Sequence, residues 1–577
     1  MTITEPALPP VAAVPRQREQ RPESARTLGA VRIPHAPWIV LGGCVLAFAG
    51  LLYLSRNQDF FADEWAFVTE HSGWTLRGYF LPHNEHWSTL PKISYTILFA
   101  VFGMQSYLPF SAILLLVHTA AAFVLFLIVR RQAGDLIGIA AAGLLLLVGQ
   151  GAENVFWAFQ VGFVGSVLLG LIAIWLLQAP GAGRVRPSLA SAALVASLAS
   201  SGIGLFFLPT VAVDLWLDRA RRRLLWVLAA PVAAYGVWFL AFGRAKVTQH
   251  RSPLDADPLR ELVTYVPSGI GSGLAGMLSL GSHFGMLAFA GGTTVLTLLL
   301  RRTRPLPALA IGATVGLVLQ YTVTGLVRAQ FGDGQAMSSR YVYVATVFGL
   351  LIFATALAKA PFTGVWRPVV VVVLAGILLH DTMLMAQGAA ERAAAIADPL
   401  EDRLQTAWLL RDAPGFDPAA GIDPARAPTL AAGDYIRVRE ELGSAYPDLT
   451  VADLSALDAS AVNDVVRAVL PLDQTVVSAA PPDGTCQNLD PEAPFVRIPA
   501  TDGTRLWFVS TSTFPVQMHV NHWLLGDAVD GPAVVHSIEP GEILMITVAD
   551  SGQGLDRQLQ VSSAPGTLGT VCHAPAS

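Results

Sequence analysis

The chain has 577 residues, 53% of them hydrophobic and only 14% charged, with a mean hydropathy of +0.52; this excludes an ordinary soluble globular protein. A formal net charge of -5 is too small to imply a nucleic-acid partner. What remains is a chain that sits mostly in a bilayer, with membrane lipids as its first partners.

Residues 1–36 are polar and rich in Pro and Arg, the composition of a disordered tail. Arg16, Arg18, Arg21, Arg26 and Arg32 keep that tail cytoplasmic under the positive-inside rule. The apolar run Pro37–Leu54 is long enough to span and is retained as the first helix, not cleaved as a signal. It delivers Arg56–Lys92 to the outer face. Ile93–Gly103 is apolar but too short to span and suits a helix lying at the interface. Tyr107–Val129 crosses back and stops at Arg130–Arg131. Leu136–Val148 goes out, the turn GQGAENVFWAFQ follows, and Val161–Leu177 returns to Arg184 and Arg186.

Two shorter runs, Leu189–Ala199 and Ile203–Leu217, are joined by SSGIG and flanked by basic residues, which reads as a broken or tilted hairpin buried in protein. Leu224–Phe242 leads to an outer loop from Gly243 to about Pro267. An interfacial helix follows, and Phe284–Leu300 returns to Arg301, Arg302 and Arg304. Leu306–Leu326 exits, Val342–Leu357 comes back to Lys359, and Val369–Met385 exits last. The expectation is eleven spans in a mainly α, polytopic bundle over residues 37–386, with basic residues at every inner turn. The N-terminus is then cytoplasmic and the C-terminal part extracytoplasmic, at the plasma membrane.

Beyond Gln387 hydropathy falls. Residues 387–480 read as a mostly helical extracytoplasmic segment. Residues 481–577 carry short β-branched and aromatic stretches (RLWFVST, VQMHVNHWLL, AVVHSI, ILMITVA, QLQVSS) separated by Gly, Pro and Asp. That is the cadence of a small antiparallel β-sandwich. The sandwich is either a folded cap without a ligand or a sugar-binding unit using Trp507, His522 or Trp523. Of three cysteines, Cys44 lies in the first helix, while Cys486 and Cys572 share an oxidising compartment, so a disulfide is expected between them.

The loop Arg56–Lys92 is the densest group of titratable side chains in the membrane part of the chain. Asp63, Glu64, Glu70, His71, His83, Glu85 and His86 are interleaved with Phe60, Phe61, Trp65, Phe67, Trp74 and Trp87, as in a loop at the lipid–water boundary. Asp63–Glu64 sits between aromatic pairs, where partial desolvation would raise carboxyl basicity and make a general base. The bland alternative is a solvated helix flank. His83, Glu85 and His86, in PHNEHW, supply imidazole and carboxylate donors for a divalent cation such as Mg, Mn or Ca, although their spacing fits no helical metal motif. Hydrogen bonding to an acceptor or a phosphate is the other reading. Outer cations run against the positive-inside trend: Arg244, Lys246, His250 and Arg251 in one loop, Arg328 and Arg340 in another. Such cations attract phosphate, and Arg340–Tyr341 at a helix mouth is the more suggestive pair.

The order of Asp63–Glu64, LPKISYTILFAVFGMQSYLPFSAIL, SSGIGLFFLP before a basic turn, and SSRYVYV resembles the GT-C glycosyltransferases over residues 37–386. It is most similar to the protein-mannosyltransferase and aminoarabinose-transferase branch. That resemblance implies a sugar donor carried on a polyprenyl phosphate, an envelope glycan, lipid or protein acceptor, and an inverting displacement. Asp63 would be the base, Glu64 would orient it, and Arg340, Tyr341, Arg244, Lys246 and Arg328 would be phosphate-binding candidates. The competing classes are a lipid or sugar transporter and a non-catalytic scaffold or glycan-binding membrane protein. A transporter needs polar groups at mid-membrane, where the chain offers Gln320, Asp214, His118 and a few hydroxyls.

The topology is directly testable. A reporter fused after Gln387 should read extracytoplasmic, and reporters after Arg131 or Arg304 cytoplasmic. A cytoplasmic signal after Gln387 would mean that the span count is off by one.

Overall fold

The computed structural model describes residues 27–178, 183–246, 256–302, 307–358, 365–478, 485–490, 492, 495–526 and 534–574. The tail arginines Arg16 to Arg26, together with His250, Arg251, Arg304 and Lys359, fall outside these residues.

Apolar sequence makes helices here because a bilayer leaves the backbone no other partner for its N–H and C=O groups. Helix α1 (Ala36–Leu54) enters the outer loop, which holds two short helices, α2 (Glu64–Glu70) and α3 (Leu76–Phe80). Next comes α4 (Thr89–Phe102), which buries Tyr95, Leu98 and Phe99 and exposes Ile93, Ile97 and Val101. A helix of this length with one apolar face outward fits the expected interfacial position. The bundle continues with α5 (Leu108–Ala133), α6 (Asp135–Leu146), the short α7 (Glu153–Phe156), α8 (Val161–Leu177), α9 (Val185–Ser200), α10 (Gly204–Leu217) and α11 (Ala229–Ala241). Then follow α12 (Ala256–Met277), α13 (Gly285–Arg302), α14 (Ala308–Arg328), α15 (Ser339–Leu357) and α16 (Trp366–Arg392).

Among the described residues, 7 helices are long and apolar enough to cross a membrane, or 8 if α12 and α13, bent by 119°, count as one broken span. Four of the shorter apolar helices, α4, α6, α9 and α10, supply the rest of the apolar mass. Helix α15 is buried almost all round, whereas α1, α11 and α16 expose most of their surface. The bundle thus has a central helix and a lipid-facing rim. The loop expected to run to Pro267 is helical from Ala256, because ADPLRELVTYVPSGI continues the α12 periodicity through its proline.

The last span does not end at the bilayer. Residues 368–409 form one unbroken helical rod that runs through a π-turn at Ala393–Ala397 into α17 (Asp398–Leu409). The boundary expected at 386/387 therefore lies inside a helix. A two-stranded hairpin, β1 (Gly421–Asp423) and β2 (Ala427–Ala431), then α18 (Ala432–Leu442) and α19 (Ala459–Val469), complete this helical segment.

The sandwich is built from β3 (Asp473–Val477), β4 (Thr485–Asn488), β5 (Phe495–Ala500), β6 (Arg505–Ser510), β7 (Val516–Trp523), β8 (Val534–Ile538), β9 (Ile543–Thr547), β10 (Arg557–Ser563) and β11 (Gly569–Ala574). One sheet has the order β3-β9-β6-β11-β4, the other β5-β10-β7-β8, and every pairing is antiparallel. Alternating burial along β5 and β7 places Val496, Ile498, Val516, Met518 and Val520 between the sheets. Strand β3 lies before the expected 480/481 boundary yet pairs with β9, so the sandwich begins nearer Leu472. Trp507 and Trp523 are buried, and the Trp523 indole donates to the Gly526 carbonyl at 3.2 Å. Neither therefore offers the open ring face expected of a sugar platform.

Cys486 and Cys572 face each other on β4 and β11 and are joined as a disulfide, while Cys44 is buried in α1 as a free thiol. The bond closes a loop across a sequence separation of 86, worth about 4–5 kcal/mol in the chain-entropy view. Thiol labelling of denatured, unreduced protein should therefore find Cys44 alone. Reduction should lower the stability of the sandwich by that amount in urea unfolding; three labelled thiols without reduction would contradict the pairing.

Candidate active site

The outer loop folds by burying its aromatics. Phe60, Trp65, Phe67 and Val68 join Tyr95, Phe99 and Phe110 in a core shared with Leu400, Leu404, Tyr435 and Val462 of the extracytoplasmic segment. Polar bonds reinforce the seam. Tyr446 donates to Asp59, the Ala62 N–H donates to the Arg426 carbonyl at 2.7 Å, and Arg437 donates to the Thr69 carbonyl at 3.0 Å. Gly103, at φ +59°, lies so close to Leu442 that a Cβ would stand 2.2 Å from its carbonyl oxygen. Sequence reading treated the loop and this segment as separate; the structure packs them as one body.

Glu64 begins α2 and is fully buried. Its carboxylate accepts from the Tyr95 hydroxyl, from Tyr107 at 3.0 and 3.1 Å, from Trp157 Nε1 at 3.0 Å and from the Phe61 N–H at 3.0 Å. Burial pushes its pKa up to about 7 against the pull of these donors and of Arg392. It does not line the cavity described next.

Asp63 points the other way. It precedes α2 without capping it, so its carboxylate faces a cavity lined by His83, Asn84, His86, Ser201, Arg328, Arg340 and Tyr341. The backbone strain in the loop flanks this residue. Ala62 (φ 49°) and Asn84 (φ 50°) both adopt the left-handed region, a cost of order 1–3 kcal/mol per residue that surrounding structure must hold in place. The Asn84 amide donates to Asp63 Oδ2 at 3.2 Å, and His83 Nε2 lies 3.9 Å from the same oxygen. The His83 imidazole holds the Asp63 pKa below its usual range, with help from Asn84 and the Arg340 guanidinium. This corrects the expectation of a base made stronger by desolvation. Glu64 is the desolvated member of the pair, and Asp63 is an ionised, hydrogen-bonded carboxylate.

The PHNEH turn closes on itself, with His83 N–H to His86 O at 3.1 Å and His86 N–H to His83 O at 3.0 Å. His86 Nδ1 accepts from the Gly202 N–H at 3.3 Å, and burial pushes its pKa down to about 4. Gly202 lies at the break between α9 and α10, and a Cβ there would stand 2.7 Å from His86 Nδ1. Hence the small-residue SSGIG joint admits the imidazole. Glu85 pairs with Arg328 at 3.1 Å. The three donors expected for a cation therefore diverge, each toward a different partner, and no metal-holding cluster occurs among the described residues. The residues present do not fit a divalent ion.

Arg340 opens α15, half-buried, with its guanidinium 5.6 Å from the Tyr341 ring centroid and its Nε buried without a partner. Gln320 anchors this corner by donating to the Tyr341 carbonyl at 3.2 Å. Arg244 is exposed beyond α11 and does not line the cavity; the Lys246 side chain falls outside the described residues. Of the sequence-derived candidates, Asp63, His83, His86, Arg328, Arg340 and Tyr341 meet here. Sequence reasoning missed Asn84, Gly202, Tyr95, Tyr107 and Trp157. The one available signal for the last was a tryptophan set in a polar outer turn.

The sequence matches no protein-family model and no curated protein. Among solved structures it is similar to ArnT from Cupriavidus metallidurans bound to undecaprenyl phosphate, at 14% identity over 70% of this chain and 85% of that one, with a TM-score of 0.43. It is also similar to the arabinofuranosyltransferase AftD from Mycobacteria, at 12% identity over 92% of this chain and 62% of that one, with a TM-score of 0.33.

Glu64 and Asp63 should respond differently to the same change. Glu64→Gln turns one acceptor oxygen into a donor facing donors and should cost roughly 1–3 kcal/mol of stability. Asp63→Asn, partly exposed and able to keep an acceptor oxygen toward Asn84, loses only the imidazole contact and one charge-assisted bond and should cost less than about 1 kcal/mol in detergent unfolding. Equal losses would mean that Asp63 is structural as well.

Proposed function

We propose that the protein is a membrane glycosyltransferase of the GT-C kind, moving a sugar from a polyprenyl-phosphate donor to a hydroxyl acceptor of the cell envelope on the outer face of the plasma membrane. One observation carries this reading: the Asp63 carboxylate and the Arg340 guanidinium, 277 positions apart in sequence, line one cavity. A base and a phosphate-binding cation must face each other across a reacting anomeric carbon, and neither competing class needs that pairing.

Asp63 takes the proton of the acceptor hydroxyl. The acceptor oxygen then bonds to the anomeric carbon from the face opposite the phosphate, and the bond from that carbon to the phosphate oxygen breaks. Its electron pair leaves on that oxygen, so configuration inverts and a phosphodiester monoanion becomes a polyprenyl phosphate with added negative charge. Arg340, with Arg328 behind it, stabilises this growing charge, which is greater in the transition state than in the bound donor. Asp63 stays ionised at neutral pH and is aimed by His83 and Asn84, and general-base catalysis of this kind contributes on the order of 10²–10⁴ in rate.

The cavity is about 50 Å³, room for a few waters and not for a sugar, so donor binding must widen it. The Glu85–Arg328 pair lies at its edge. An incoming phosphate competes with Glu85 for that guanidinium and is the natural agent of opening. On the other side, His83 also lines an open cleft of about 660 Å³ with Trp74, Arg77 and Arg437. This is a route by which an acceptor hydroxyl reaches Asp63.

The test is transfer from a radiolabelled polyprenyl-phosphate sugar in membranes of a strain lacking the gene. Asp63→Asn should lower turnover by roughly 10²–10⁴ with donor binding retained. Arg340→Ala should weaken donor binding through loss of a charge-assisted grip. In turnover, the double variant should be no worse than the more impaired single variant if the two act as a unit. Full activity in Asp63→Asn would refute the base assignment.

A further inference from the structure

A second cavity, of about 860 Å³, lies between the helical segment and the sandwich, away from the Asp63 site. Its volume is that of a small-ligand pocket. One wall is cationic. Arg403, Arg426 and Arg467 share only two carboxylates: Arg403 engages Asp464 and lies 3.5 Å from Asp423, Arg426 reaches Asp423 at 3.0 Å, and Arg467 reaches Asp464 at 2.5 Å. The wall keeps an excess positive charge.

Three residues lining this cavity each bury one polar atom without a partner: Arg467 Nη1, His522 Nδ1 and Gln474 Oε1. The Arg467 side chain is only 10% exposed and His522 only 4%. Burial, with the nearby Arg557 and Arg467, pushes the His522 pKa down to about 3, so its ring is neutral and contributes no charge. Buried donors and acceptors without a partner are costly, and these belong to side chains at the cavity wall, where a ligand is the available partner. The set is a guanidinium N–H for an anion, plus an amide oxygen and an imidazole nitrogen for hydroxyls. Among the described residues no Trp, Tyr or Phe lines the cavity, so it lacks the broad ring platform on which a neutral sugar stacks.

We propose that this cleft binds an acidic glycan, a sugar bearing a carboxylate or a phosphate, with the anion on Arg467 and hydroxyls on Gln474 and His522. Its position gives it a use. The turn Asp423–Arg426 lines the cleft, and the carbonyl of the same Arg426 holds the strained Ala62 N–H beside Asp63. A polymer held here lies one turn of chain away from the loop that carries Asp63. The site stands whether or not Asp63 is a base.

Calorimetric titration of the full chain in detergent tests it, using tetragalacturonate, mannose 6-phosphate, mannotetraose and inorganic phosphate as probes. At least one acidic sugar should bind, at least tenfold more tightly than mannotetraose and inorganic phosphate; which of the two binds identifies the anion. Arg467→Gln should weaken that binding at least tenfold. Gln474→Ala, a half-buried change without a bond to lose, should weaken it severalfold and covers the case in which Arg467→Gln does not fold. Asp63→Asn should bind as wild type, which separates this site from the transfer chemistry. Binding of neither acidic sugar, equal binding of mannotetraose or of inorganic phosphate, or unchanged binding in the folded variants would overturn the proposal.

Discussion

A carboxylate without water around it has to be satisfied by protein, and Glu64 is such a group. Leaving one buried charge unpaired costs several kcal/mol, so the groups that reach it are constrained in turn. Tyr95 comes from the interfacial helix α4, Tyr107 from the mouth of α5, and Trp157 from the turn before α8. Three separate parts of the bundle are thereby pinned to one side chain. Because Asp63 is the adjacent residue, pinning Glu64 also fixes where Asp63 points. The pair divides its labour: one carboxylate is anchored out of reach, and the other is presented to the cavity.

The opposite wall is set by a different economy of charge. Arg328 is neutralised by Glu85, while Arg340 is backed by an aromatic ring and keeps an unpartnered Nε. Guanidinium groups tolerate such places because they remain charged and are weakly hydrated. In a partly dry cavity a cation of this kind acts on an entering anion more strongly than it would in water. His86 is kept neutral in the same cavity, so it adds no charge to the field of the guanidinium groups.

Much of this was legible in the sequence, and for identifiable reasons. Long apolar runs have few alternatives to helix in a bilayer, so the α1, α5, α8 and α15 segments could be placed within a few residues. The interfacial α4 and the break at SSGIG were readable from length and small residues. Asp63, Arg328 and Arg340 stood out because charge is rare in this chain. The depth of Glu64 was not legible: adjacent residues on a helix start face opposite ways, and which way is decided by tyrosines that look like ordinary apolar content. The strands β4, β5 and β11 were also missed, since TCQN, FVRIPA and GTVCHA break their apolar alternation with Gln and Asn, Arg and Pro, or Gly and His. The α17 stretch read as helical, but hydropathy does not reveal that the last span runs into it without a break, because the apolar run stops near Met385 while the helix does not.

The seam between Asp59 and Tyr446 joins residues separated by 387 positions in sequence. The loop is among the first parts of the chain to be made, and the surface it packs against follows only after the whole membrane bundle. At typical synthesis rates of about 5–20 residues per second, the loop waits roughly 20–80 s before its partner exists. During that interval Ala62 has no carbonyl to hold its strained turn, and Phe60, Trp65 and Phe67 lack half their packing. A chain that stops before Arg426 therefore lacks this support for the loop that carries Asp63. The outer loop gains its full packing only after this segment is made, so a chain cut before it carries the early helices without the body that backs Asp63.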